Sequence, residues 1–126
     1  MGDYILEIKD SERIKTTSDN KKFYKMIIEE EKCFKYQHQL FTYAFLVSML
    51  QDLEPNKEPK TEDICDISSL SKSNREVVLG IAAKRSSAAT GTELVKYMLE
   101  YADSGIEYLR IEYENNGEFR LDKCID

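Results

Sequence analysis

The chain has 126 residues, of which 41% are hydrophobic and 33% are charged, and its formal net charge is −6. This length and composition suit one globular domain and exclude a disordered chain, which lacks that much apolar material. The acidic balance excludes indiscriminate binding to phosphate backbones, so a nucleic-acid role would need a local basic patch. We therefore predict a single domain over residues 1–126.

The cysteine pattern predicts the compartment. Cys33, Cys65 and Cys124 cannot all pair within one chain, and acidic residues follow Met1-Gly2 too soon for a secretory signal. No apolar run approaches the ~20 residues that a membrane span requires. We expect free thiols in a reducing cytoplasm and no membrane association.

The N-terminal segment 1–16 is predicted to be an arm or a short strand, because Tyr4–Ile8 is apolar and charged residues follow it. Candidate N-caps at Thr16–Asp19 open a helix predicted over Asp19–Lys32. The acidic end of that helix, Glu29–Glu31, opposes the helix dipole and favours fraying.

The next segment predicts the strongest helix. Neither glycine nor proline occurs from Tyr36 to Asp52, and apolar residues lie on nearly every side of the helix. These residues are Leu40, Phe41, Ala44, Phe45, Val47, Met49 and Leu50. A helix that is apolar on most faces belongs in the middle of a bundle. Both prolines follow within 53–61, which is predicted to be a surface loop.

Helical turns and three capping boxes are predicted in the second half. Apolar residues at intervals of three predict one or two helical turns at Ile64, Ile67 and Leu70. The capping boxes are Ser73-x-x-Glu76, Thr90-x-x-Glu93 and Ser104-x-x-Glu107. The first opens a helix with an apolar face of Val77, Val78, Ile81 and Ala82. The second opens a helix with a stripe of Leu94, Val95, Met98, Leu99 and Ala102. Gly105 suits a helix end or a sharp bend.

Residues 106–121 fit two structures. Ile106, Leu109 and Tyr113 recur at helical spacing, whereas alternation at 109–113 and at 119–121 fits a hairpin around Asn116-Gly117. The Asn-Gly turn favours the hairpin. The predicted fold is mainly α, a compact bundle of four to five helices. A short N-terminal strand and a C-terminal β-hairpin are optional additions, and an α+β fold is the alternative.

No catalytic or metal-binding constellation is recognised in the sequence. The single histidine, His38, lies five residues after Cys33, a spacing that does not place both on one helix face. A zinc site from Cys33, His38, Cys65 and Cys124 would lack a close Cys-x-x-Cys pair, and no glycine-rich phosphate loop is present. We predict no cofactor, no metal and no enzymatic activity, with a hydrolase or transferase centred on His38 as the least favoured hypothesis.

Tyrosines form the candidate partner-binding surface. Tyr97 and Tyr101 lie four residues apart on a predicted helix, and Tyr108 follows two turns later if the helix continues. Tyrosine is enriched at protein interfaces because it offers a large amphipathic surface at low entropic cost. The edge of the core is an equally good place for these side chains.

Positive charges lie at both ends of the helix that is predicted to begin at Ser73. The candidate nucleic-acid-binding residues are Lys72, Arg75, Lys84 and Arg85. Lys84 and Arg85 also suit the C-terminal end of a helix dipole without any ligand. One short basic cluster predicts weak, salt-sensitive binding to nucleic acid.

Two segments, Phe34–Leu50 and Tyr101–Leu109, carry a family resemblance. The first contains the aromatic-aliphatic run Leu40–Phe45, and the second reads Tyr-Ala-x-x-Gly-Ile at Tyr101–Ile106. In this order, with a polar loop and a helix between them, they resemble small helical accessory proteins of bacterial DNA phosphorothioation (Dnd-type) modification and defence systems.

The resemblance implies a non-enzymatic accessory or adaptor protein that binds a protein partner in a prokaryotic DNA-modification or anti-phage system, and it supplies no catalytic residues. The alternative is a DNA-linked transcriptional or defence regulator that uses the basic patch. The sequence leaves the partner and the oligomeric state open.

Overall fold

A computed structural model describes residues 8, 12–31, 34–70, 72–88 and 90–116. These residues form four α-helices and a two-stranded antiparallel sheet. The elements are β1 Arg13–Thr16, α1 Ser18–Met26, α2 Gln37–Gln51, β2 Glu62–Asp66, α3 Lys72–Arg85 and α4 Gly91–Asn116. The predicted mainly helical fold is confirmed. Within the described ranges, no helix combines the length and apolar character needed to cross a membrane.

Helix α2 lies in the middle of the fold, as its apolar composition predicts. It packs chiefly against α4, and its buried residues join those of the other elements in one hydrophobic cluster. The buried apolar residues of α2 are Leu40, Phe41, Ala44, Phe45, Val47 and Met49. Leu50 was expected among them, but its side chain is 82% exposed. The predicted burial of this apolar set on nearly every side of α2 is therefore wrong at Leu50.

At Gly105 the backbones of α2 and α4 approach each other closely. A Cβ atom built on Gly105 would lie 2.0 Å from the backbone oxygen of Ala44 and 2.6 Å from its carbonyl carbon. Helix α4 runs through Gly105 without a break. The predicted helix end or bend at this glycine is therefore wrong, because the glycine is needed for close packing of two backbones.

A short strand, β1, forms at the end of the N-terminal segment 1–16. Of the predicted strand Tyr4–Ile8, only Ile8 is among the described residues, and the observed strand is β1. It pairs with β2, where one or two helical turns were expected; only Ile67–Ser69 forms a short 3₁₀ turn there. Charges of opposite sign face each other across the strands at Arg13 and Asp66, and such cross-strand pairs stabilise a sheet.

Helix α1 begins where the candidate caps predict. The hydroxyl of Thr17 accepts a hydrogen bond from the backbone N–H of Asn20 at 3.1 Å. After Met26 the chain continues as a π-helical segment, Ile27–Glu31, rather than as regular α-helix. The regular α-helix therefore ends at Met26 instead of the predicted Lys32, and the chain stays helical through Glu31, so the expected fraying is not seen in the described residues.

The three capping boxes have different outcomes. The hydroxyl of Thr90 accepts from the backbone N–H of Glu93 at 3.2 Å, which confirms this N-cap. Helix α3 begins at Lys72, so Ser73 lies inside its first turn and the predicted N-cap at Ser73 is wrong. Ser104 lies inside α4, so the third predicted box is also wrong.

The apolar faces of α3 and α4 agree with their predictions at most positions. The predicted face of α3 is buried at Val78 and Ala82 and partly buried at Ile81, but Val77 is 50% exposed. Leu79, which was not predicted, is buried instead. The predicted stripe of α4 is buried at Leu94, Val95, Met98 and Ala102, and Leu99 is partly buried.

Helix α4 also settles the first half of the ambiguous tail. It continues to Asn116, so the hairpin strand expected over 109–113 is wrong. Ile106 and Leu109 are buried against the core from this helix. Tertiary packing of these side chains overrides the local turn signal. Residues 117–121, which would complete the hairpin, lie outside the described residues.

Candidate functional site

The predicted surface loop, 53–61, crosses α4 and is fixed to it by hydrogen bonds. Asn56 donates from its backbone N–H to the carbonyl of Glu100 at 3.1 Å, and from Nδ2 to Oε2 of Glu107 at 2.6 Å. The hydroxyl of Ser104 donates to the carbonyl of Glu54. Asn56 is buried in consequence. The loop therefore forms a rigid wall over α4.

A buried carboxylate joins this loop to the N-terminal elements. Asp103 is 1% exposed, and its Oδ1 accepts hydrogen bonds from the hydroxyl of Thr16 and from Nδ2 of Asn20, the latter at 3.0 Å. Its Oδ2 lies 2.7 Å from Nζ of Lys60, an ion pair without the angular geometry of a hydrogen bond. Arg110 extends the network by donating to Oδ1 of Asn20 at 3.2 Å.

Beside this network lies a groove of about 590 Å³ between β1, the loop and α4. We call it the lysine groove. Its basic side chains are Arg13, Lys15, Lys57, Lys60 and Lys96; its acidic ones are Glu12, Glu58 and Glu100; its other lining residues are Pro59, Thr92, Val95 and Leu99. The groove has more positive than negative groups, although the whole chain is acidic.

The basic side chains of the lysine groove differ in their partners. Lys60 is paired with Asp103, and Arg13 is paired with Asp63 and Asp66. Lys15, Lys57 and Lys96 form no ion pair with any residue that the structure describes. Three free ammonium groups, one from each wall, therefore line one groove.

Glu107 lies under the same loop and has an altered titration. Burial, and next the charge of Glu58, raise the pKa of its carboxyl. Folding therefore favours the protonated form: the contribution of Glu107 to stability is present below its unfolded pKa and is lost as the pH rises through its folded pKa.

We expect Glu107→Gln to raise the free energy of unfolding at pH 7 by about 0.3 kcal/mol, a small value because the side chain is partly solvated. Glutamine keeps an acceptor for Asn56 without the charge. Urea denaturation of both proteins at pH 7 and at about pH 4, near the ordinary pKa of glutamate, would measure this change in the free energy of unfolding. The gain should vanish at the lower pH; a gain of equal size at both would contradict the electrostatic explanation.

Two tyrosines of α4, Tyr97 and Tyr101, form a pair, and Tyr97 lines a second groove that adjoins the lysine groove. The rings of Tyr97 and Tyr101 are in contact, with centroids 4.5 Å apart and planes tilted by 36°. Both are partly buried against the core. A smaller groove of about 280 Å³ runs past Tyr97 and shares Lys57 and Lys96 with the lysine groove.

The structure also places Tyr108 relative to this pair. At about 100° per residue, Tyr97, Tyr101 and Tyr108 fall within about 40° of one another around the continuous helix. Ser104, between Tyr101 and Tyr108, is buried and bonded to the loop. The loop therefore contacts α4 at Ser104, between Tyr101 and Tyr108. We call Tyr97 and Tyr101, whose rings are in contact, the tyrosine pair.

The candidate basic patch is spread around α3. Arg75 and Lys84 are nine residues apart, which at about 100° per residue puts them on opposite sides of the helix. Arg85 is exposed, and its Nη1 lies 3.5 Å from the carbonyl oxygen of Met49 at the end of α2. The side chain of Lys72 lies outside the described atoms. The geometry of α3 does not bring Arg75 and Lys84 together.

His38 stacks on a neighbouring ring. The ring centroids of His38 and Tyr36 are 5.3 Å apart and the ring planes are inclined by 11°. Burial lowers the pKa of His38. Cys33 and Cys124 lie outside the described residues, and burial raises the pKa of the Cys65 thiol to about 11. Among the described residues, no three His, Cys, Asp or Glu side chains are grouped so as to hold a metal ion.

Two features of this site are missing from the sequence interpretation. The lysines of the groove come from three separate elements, and no local pattern links them. The burial of Asp103 could have been suspected from the sequence, because this charged residue directly follows Ala102 of the apolar stripe and no proline ends the helix there. Because Gly105 was interpreted as a helix end, Asp103 was expected to lie at a solvated helix terminus and not in the core.

Comparison of this chain with family models, with characterised proteins and with solved structures finds no match.

Proposed function

We propose that this protein is a non-enzymatic accessory or adaptor protein that binds a protein partner in the cytoplasm. The observation that supports it best is the tyrosine pair beside the lysine groove. Two amphipathic rings in contact, partly held by the core, present a preorganised surface with little side-chain entropy left to lose. Aromatic side chains of this kind commonly dominate the binding energy of an interface.

The setting we propose is a prokaryotic DNA-modification or anti-phage system. Its support is the resemblance of Phe34–Leu50 and Tyr101–Leu109 to the Dnd-type accessory proteins. In the structure these two segments include the central part of the fold, where Gly105 of the second meets Ala44 of the first. The cytoplasmic location is supported by the cysteine pattern, in which Cys65 is a free thiol.

The test is affinity capture from the native host with the wild-type chain, with Tyr97→Ala/Tyr101→Ala and with Tyr36→Ala. Tyr36 is the matched control because it is also a tyrosine, is 49% exposed, and lies at the N-terminus of α2, outside the tyrosine pair. We expect the double variant to lose the captured protein by about tenfold or more, as for two aromatic anchors. The control should retain it. Retention of every captured protein by the double variant would refute the proposed surface.

A DNA-linked regulator remains the alternative proposal. It requires the basic residues of α3 to contact phosphates, namely Lys72, Arg75, Lys84 and Arg85, although Arg75 and Lys84 lie on opposite sides of the helix. A gel shift of duplex DNA at low salt that weakens steeply toward physiological salt would favour this alternative.

A further inference from the structure

We infer that the lysine groove binds an acidic peptide segment of the protein partner. This inference rests on the proposed function, because the segment belongs to the protein that the tyrosine pair contacts. The two surfaces are continuous, since Lys57 and Lys96 line both the lysine groove and the smaller groove that reaches Tyr97.

Charge complementarity identifies the occupant. Lys15, Lys57 and Lys96 project from β1, the loop and α4, and none is neutralised by a described residue. Lys60 and Arg13 already have carboxylate partners, so they help to hold the walls in place. Three free cations in a chain of net charge −6 select an anionic ligand locally while the rest of the surface repels one.

The other lining residues favour a peptide over a nucleic acid. Glu12, Glu58 and Glu100 stand among the lysines, so a continuous run of phosphates would meet repulsion. A peptide carries its carboxylates at intervals and can place them beside lysines only. Its apolar side chains can cover Val95 and Leu99, which also line the groove. A volume of about 590 Å³ accommodates a few residues of extended chain rather than a duplex.

The loop wall is preorganised for such a ligand. Asn56 holds it to α4 at two points, and Lys60 Nζ donates to the carbonyl of Asn56 at 2.7 Å. The backbone N–H of Glu58 donates to Oδ1 of Asn56 at 2.8 Å, which fixes the turn that presents Lys57. Little ordering of the loop is then needed on binding.

The experiment measures fluorescence anisotropy of a labelled short peptide of alternating glutamate and leucine. The same peptide with glutamine in place of glutamate and a labelled oligothymidylate are the comparison probes. The protein is used as wild type, as Lys15→Gln/Lys57→Gln/Lys96→Gln, and as the control Lys22→Gln/Lys25→Gln/Lys35→Gln, whose three lysines are exposed. Both triple variants remove three positive charges, and the control residues lie outside the lysine groove. Circular dichroism establishes that both triple variants are folded.

We expect the wild type to bind the acidic peptide and the groove variant to bind it about tenfold more weakly, with the control changed by less than about twofold. The glutamine peptide should bind weakly to all three proteins. Absence of saturable binding to the wild type, or equal losses in both triple variants, would overturn the inference. Tighter binding of oligothymidylate through the same lysines would replace the peptide with a nucleic acid.

Capture from the native host separates this inference from the proposed function. If the tyrosine double variant loses the partner and the groove variant keeps it, the groove inference fails and the proposed function stands. If the acidic peptide binds through the three lysines but the tyrosine variant keeps every partner, the groove stands and the proposed surface fails.

Discussion

Replacing Gly105 with alanine should destabilise the protein by about 2 kcal/mol or more, because the new methyl group overpacks the contact between α2 and α4. The Cβ atom would stand 2.0 Å from the oxygen and 3.1 Å from the Cα of Ala44. These are backbone atoms of the central helix, so no side-chain rotation relieves the clash. Alanine improves helix propensity by up to about 1 kcal/mol, and the steric term must exceed that gain.

Gly80→Ala is the matched control for this prediction. Gly80 lies in α3, and a methyl group added there would have no neighbouring atom within 4 Å, so only the propensity term acts. We expect Gly80→Ala to raise the free energy of unfolding by about 0.5–1 kcal/mol. Urea denaturation of both variants measures the difference. If Gly105→Ala proves as stable as Gly80→Ala, the close approach of α2 and α4 does not exist.

The contrast between Gly80 and Gly105 shows that local features of the fold could be predicted from the sequence, whereas contacts between distant segments could not. Helix α2 and the N-cap at Thr90 were predictable because their signals are local: an uninterrupted apolar segment and a hydroxyl before a helix. The role of Gly105 is set by Ala44, which is distant in sequence. In the sequence alone, a glycine between Ser104 and Ile106 indicates a helix end, and nothing local reveals the second backbone.

The candidate site was less predictable than the fold for the same physical reason. The tyrosine pair of Tyr97 and Tyr101 follows from helical spacing, and the structure places the two rings in contact. The lysine groove depends on the loop crossing α4, which brings Lys57 near Lys15 and Lys96. Hydrogen bonds of Asn56 and the pairing of β1 with β2 set this arrangement, and neither has a signature in a single sequence.

Lys60→Met should lower the free energy of unfolding by about 3 kcal/mol or more, the usual consequence of removing one partner from a buried ion pair. Methionine fills similar space, but it leaves the carboxylate of Asp103, which is 1% exposed, with only its two hydrogen bonds from Thr16 and Asn20. The pairs of Arg13 with Asp63 and Asp66 are solvated, since all three side chains are more than 40% exposed. Breaking those should matter far less.

Asp103→Asn should cost less than Lys60→Met, about 1–2 kcal/mol, because the amide oxygen still accepts from Thr16 and Asn20. The side chain of Lys60 is 13% exposed, so its flexible stem can carry the ammonium group toward water. In the double variant no buried carboxylate is left unpaired. Its loss of stability should therefore fall short of the sum of the single losses by about 1–3 kcal/mol.

Urea denaturation of the two single variants and the double variant at pH 7 measures this coupling, with Lys57→Met as the control. Lys57 is an exposed lysine of the same loop without an ion pair to any described residue, so its replacement should change stability by less than about 0.5 kcal/mol. Strict additivity of Lys60→Met and Asp103→Asn would show that the two charges do not interact. A strong coupling would show that the Lys60–Asp103 ion pair, together with the hydrogen bonds of Asn56 and Ser104, holds the loop against α4 and so helps to position Lys57 at the groove.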